Sequence, residues 1–163
     1  MVSLEVIALI LTGLSITVSI VYYANILRDT SKARQREIIF QRGQVYNLEY
    51  SKAFAKTLNM RDWKTPEEFQ NKYGVYNNPE EFAYYMYITR VYNIGGLLLK
   101  ENMVDADLVF KLYPPFSVIN VWETFEPLML NLRERTNYPD AYKPFEYLYT
   151  QAKKKYPQIT PAN

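Results

Sequence analysis

From Val6 to Leu27 the chain runs for 22 residues without a charged side chain, VIALILTGLSITVSIVYYANIL. A helix rises about 1.5 Å per residue, so this run extends about 33 Å, against a hydrocarbon core of about 30 Å. Twelve of its residues are Leu, Ile or Val, each favouring insertion by roughly 0.3–0.6 kcal/mol. The sum, about 4–7 kcal/mol, is eroded but not cancelled by Ser, Thr and Asn. A secretory signal peptide needs a basic start, an apolar stretch of about 7–15 residues and small residues at the cut. Here the only charge before the run is Glu5, the run is too long, and Tyr22, Tyr23, Asn25 and Ile26 suit no cleavage site. The expectation is an uncleaved anchor.

Arg28, Lys32, Arg34 and Arg36 follow the run directly, and no Lys or Arg precedes it. Basic flanks stay cytoplasmic. This predicts a single-pass protein of the cell membrane, its N-terminus outside and the 136 residues after Leu27 in the cytoplasm. The same four cations either fix topology alone or also touch anionic lipid headgroups, worth about 1 kcal/mol each.

Beyond the run there is enough chain for one compact domain. Cys and His are both absent, which removes thiolate chemistry, the commonest general base and the commonest metal ligand. The 19 basic and 17 acidic residues give no broad field for nucleic acid. Tyr is abundant at 16; scattered on helices it reads as packing, with the ring buried and the hydroxyl wet. No Gly-rich phosphate loop or GxSxG elbow occurs. The reading is a non-enzyme without cofactor or metal.

The spacing predicts an all-α fold. Residues 28–59 hold no Pro and one Gly, and Ile38, Ile39, Val45, Tyr46, Tyr50, Ala53, Phe54 and Leu58 recur at helical intervals. This reads as the anchor helix continuing into a juxtamembrane helix, lying on the membrane or projecting from it. Thr65-Pro66-Glu67-Glu68 and Asn78-Pro79-Glu80-Glu81 then open helices, each with a cap residue, Pro at the first position and Glu at the third. The second runs to about Asn102 and contains Gly95-Gly96, a kink or a point of close approach. Asp105 caps a short helix ended by Pro114-Pro115. The next helix contains Pro127, expected to bend or split it. A last helix, FEYLYTQAKKKY, carries three lysines near its end. The expected organisation is an anchor over 1–27, a linking helix over 28–59, a compact bundle of about five further helices over 60–156, and a tail over 157–163.

Gly96, Leu97, Leu98, Asp105, Trp122, Glu123, Pro127, Phe145, Glu146 and Leu148 stand in an order that resembles a family of prokaryotic proteins of unknown function. Its pattern is a helix ending in a Gly-containing turn and an Asp, a short helix, a Trp-Glu helix with a following Pro, and an F-E-Y/W-L helix. Asn102 stands where a Gly is common. The resemblance spans roughly 82–155 plus the anchor. It implies one N-terminal span and a cytoplasmic helical domain, and brings no activity.

Two groups of residues remain as site candidates. Ala8, Thr12, Ser15, Ser19 and Tyr22 are spaced 4, 3, 4, 3 along the run, a stripe of small or hydroxylated residues. Such a stripe lets helices approach in lipid, or lines a pore if several copies assemble, or is merely tolerated through bonds to its own carbonyls. Glu123 and Glu126 sit mid-helix beside Trp122, with Arg90 as the expected ion-pair partner of one of them or, in the alternative, a ligand pocket built from Arg90, Trp122 and Glu123. The function expected is a scaffold or interaction protein that forms homo-oligomers. The alternatives are a small channel and an accessory subunit of a larger membrane complex. The partners expected are membrane lipid and another copy or another membrane protein, without nucleic acid.

Overall fold

The computed structural model describes residues 3–43 and 47–160; the side chains of Arg36, Ile39 and Arg42 fall outside that description, as do Val45 and Tyr46. Among the described residues there are seven helices and no strand: α1 (Leu4–Gly43), α2 (Leu48–Leu58), α3 (Pro66–Tyr73), α4 (Pro79–Lys100), α5 (Ala106–Leu112), α6 (Pro115–Thr136) and α7 (Lys143–Lys155). The chain divides into two units, Met1–Gln41 and Arg42–Asn163. The first holds α1 as far as Gln41; that helix is 40 residues long, so the apolar run does continue into a charged helix.

The linking helix expected over 28–59 is two helices. Asn47 stands outside helical geometry, and its side chain accepts a hydrogen bond from the Tyr50 N–H at 3.0 Å, which starts α2 afresh. α2 then turns Tyr50, Ala53 and Thr57 inward against α4. It belongs to the helical bundle and brings the count after α1 to six.

The punctuation elsewhere acts as expected, with three refinements. Thr65 and Asn78 accept from the N–H of Glu68 and Glu81. Glu68 reaches back to the N–H of Lys64 at 2.7 Å, one residue before the cap. Asp105 occupies the cap position of α5, yet only its backbone carbonyl is used, by Leu108 and Val109. Pro127 neither ends nor splits α6, which runs unbroken through it; it sits on the exposed side, where water can serve the Glu123 carbonyl that loses its donor.

α4 lies at the centre, packed by α2, α3, α5 and α7. Gly95 and Gly96 make that packing possible. A Cβ on Gly96 would stand 1.8 Å from the Pro144 carbonyl oxygen, and one on Gly95 would stand 2.9 Å from the Tyr113 ring. The glycines mark close approach. α7 crosses α4 backbone to backbone, and the Asn93 side chain accepts the Phe145 N–H at 3.2 Å, capping the neighbouring helix. α6 is buried all round from Ser117 to Trp122. Aromatic rings fill the core: Phe69, Tyr85 and Phe125 meet with centroids 5.1–6.0 Å apart, and Phe145 stacks on Tyr92 at 5.2 Å while meeting the Trp122 ring edge at 5.1 Å.

Asn102 is left-handed at φ 52°. Its N–H reaches Leu99 and that of Met103 reaches Leu98, the closing pattern of a helix at a position where Gly costs least.

Gly96→Ala tests the crossing by its sign. In an exposed helix interior that change stabilises by about 1 kcal/mol; here it is expected to destabilise by about 1–3 kcal/mol through overpacking. Gly95→Ala should cost less, because a ring can shift where a backbone cannot. Denaturant unfolding of both variants checks the order.

Candidate functional site

Among the described residues α1 is the one helix long and apolar enough to cross a membrane, with a mean hydropathy of 2.3 over its most apolar stretch and none of that stretch buried. Thr12 donates its hydroxyl to the Ala8 carbonyl at 2.9 Å, Ser15 to Leu11 at 2.9 Å, Thr17 to Gly13 at 2.9 Å and Ser19 to Ser15 at 2.8 Å. Each hydroxyl proton is thus satisfied within its own helix, as an apolar solvent demands. The stripe of Ala8, Thr12, Ser15, Ser19 and Tyr22 is exposed along its length. With the protons turned inward, what it offers outward is small size and oxygen lone pairs. Arg28, Lys32 and Arg34 are exposed on the following turns; Arg36 lies on the same helix, its side chain outside the described ones.

The expected ion pair of Arg90 with Glu123 or Glu126 does not form among the described residues. Arg90 is exposed, on the outward face of α4 with Ala83, Met86 and Leu97. Glu123 instead faces α7, where it accepts the Tyr149 hydroxyl at 3.0 Å and pairs with Lys153 at 3.3 Å. Trp122 is buried; its ring stacks on Tyr149 at 5.7 Å, and its indole N–H donates to Glu126 at 3.3 Å. Trp122 and Glu123 are therefore together, and Arg90 is not with them. Burial, then the bond to Glu123 and the charges of Glu123 and Glu126, push the Tyr149 phenol up to about 12. It stays a neutral donor at physiological pH. The cluster clamps α6 to α7 through a phenol, a carboxylate and an ammonium group, all satisfied.

A second ionic cluster secures the entry to α7. Arg133 donates to the Ala141 carbonyl at 2.8 Å and to Glu146 at 2.9 Å, and Lys143 donates to the same Glu146 oxygen at 2.9 Å. Burial opposes the ionised form of Glu146, but Lys143 and Arg133 outweigh it and hold the carboxyl below its ordinary range. In the sequence Arg133 stands out only as a cation near a helix end. The Lys143–Glu146 spacing was the one visible signal, since residues three apart share a helix face. Among the described residues, no three acidic side chains converge as a metal site would require.

The family model for a domain of unknown function, DUF4760, matches residues 4–152. The chain belongs to this family. No curated protein and no solved structure matches it.

Glu146→Gln is expected to cost about 1 kcal/mol at neutral pH, a charged hydrogen bond discounted for partial exposure. A depressed native pKa gives stability that is present above the unfolded value and lost as pH falls through the native one. The difference should therefore close as pH drops below the ordinary carboxyl value of 4.5. Arg90→Ala should stay within about 0.5 kcal/mol of the parent, whereas Glu123 and Lys153 should show coupling in a double-mutant cycle. Unfolding titrations at several pH values check all three.

Proposed function

We propose that this DUF4760 chain is a membrane-anchored interaction protein, held by α1 and presenting its helical unit to partners in the cytoplasm. One observation carries the anchor: the most apolar stretch of α1 is exposed throughout while the unit from Arg42 onward has a core of its own. In water, so large an apolar surface would be a liability to aggregation; in a bilayer it is the ordinary state of a span. The orientation rests on the cations after the span against none before it. The lack of Cys and His, with the satisfied ionic clusters, favours binding over catalysis.

Self-association through α1 belongs to the same proposal. Inward-turned hydroxyls leave a narrow, smooth stripe on which a second copy could sit closely, with dispersion as the attraction. The full chain is expected in the carbonate-resistant membrane fraction, and a chain beginning at Arg42 in the soluble one. Recovery of the full chain from the soluble fraction would overturn the anchor. In nanodiscs, native mass should report a defined oligomer that Ser15→Leu with Ser19→Leu weakens. A monomer would move the stripe to a foreign partner, as in an accessory subunit. Ion flux through the reconstituted oligomer would favour a channel over a scaffold.

A further inference from the structure

Between α3, α4, α6 and the start of α7 lies a cavity of about 230 Å³. Phe82, Met86 and Leu128 give it apolar walls, while Gln70, Asn131 and Arg135 stand where it joins an open groove along α3. Tyr85 lines it as well. That side chain is only 6 % exposed, and its hydroxyl has no hydrogen-bond partner among the described residues. Among the described residues no side-chain oxygen sealed from solvent is left unsatisfied, so this hydroxyl keeps some access to solvent, and Tyr85 lines the cavity. A neighbouring phenol, Tyr142, is already engaged with Thr89 at 3.5 Å and with the Met86 sulfur at 3.8 Å. A phenol that reaches solvent only through such a chamber is met there by water or by a polar group of a ligand.

The mouth has its own unanswered group. Arg135 is exposed in the last turn of α6 and makes no ion pair among the described residues. Arg135 borders both cavity and groove, whereas Glu67 borders the groove alone. A small apolar chamber, a buried donor and a cation with two amides at the rim form the usual composition of a ligand site. The volume is below the roughly 300–1,000 Å³ of drug-sized sites, which restricts the occupant to one ring with a short tail.

We propose that this cavity binds a small hydroxylated aromatic carboxylic acid, its ring among Phe82, Met86 and Leu128, its ring hydroxyl on Tyr85 and its carboxylate on Arg135. Arginine presents the planar fork that matches a carboxylate. Leu128 and Tyr85 give shape to the chamber, and Gln70 and Asn131 supply further donors at its rim.

The test uses the full chain in nanodiscs with phloretate as the probe, and empty nanodiscs as the baseline. Saturable binding is expected by calorimetry or ligand-observed NMR. Phloretamide, uncharged but of the same shape, should bind at least about tenfold more weakly, the usual weight of a charged hydrogen bond. Hydrocinnamate, which lacks the ring hydroxyl, should bind severalfold more weakly. Arg135→Gln should erase the first difference and Tyr85→Phe the second. Met86→Trp, at a position exposed enough to accept a large ring, should block binding while thermal unfolding stays near that of the parent. No saturable binding above the baseline, equal affinity for acid and amide, or binding untouched by both Arg135→Gln and Met86→Trp would overturn the assignment.

Discussion

The helical unit depends on one contact between two backbones, the crossing of α4 and α7 at Gly96. Without a side chain there, Pro144 comes close enough that any Cβ would overlap its carbonyl. That closeness sets the rest. It brings the first turn of α7 within reach of Asn93, which caps it. It lays Phe145 flat on Tyr92 and thereby fixes where Trp122 of α6 meets the same ring. From the other side Arg133 ties the Ala141 carbonyl and Glu146 together, so the approach to α7 is held by charge as well as packing. Rings of the second aromatic group, around Phe69 and Phe125, then close the unit between α3, α4 and α6.

α1 follows a different rule. No part of its most apolar stretch is buried, so its stability comes from helix hydrogen bonds and from whatever solvent surrounds it. The hydroxyls of Thr12, Ser15, Thr17 and Ser19 all fold back on their own carbonyls, leaving none of these four protons to desolvate. This is the economy a hydrocarbon environment enforces. The charged half of the helix begins only after Leu27, where the interface would lie if the run spans. α1 and the helical unit thus obey different physics within one chain.

Much of this was legible in the sequence because local chemistry decides it. The caps at Thr65 and Asn78, the long run after Met1 and the closeness signalled by Gly95-Gly96 are all features of neighbouring residues. Asn102 shows why a Gly pattern need not be strict: Asn also tolerates the left-handed turn. What could not be read depends on which faces meet. Arg90 looked enclosed because its sequence neighbours are apolar, yet Ala83, Met86, Arg90 and Leu97 fall on one outward strip of α4. Glu123 found its partners in Tyr149 and Lys153, residues of α7 that no spacing connects to α6. The start of α2 was missed for a smaller reason: Asn47 is an unobtrusive cap, with no Pro or Gly beside it.

The central claim is that α1 crosses a bilayer with the helical unit on its cytoplasmic side. The absence of native Cys makes this directly measurable by single-cysteine labelling. Ser3→Cys and Thr160→Cys would be expressed separately and exposed to a membrane-impermeant maleimide in intact cells and after lysis. The account predicts labelling of position 3 in intact cells and of position 160 only after lysis. Labelling of both positions in intact cells, of neither, or of position 160 alone would contradict it.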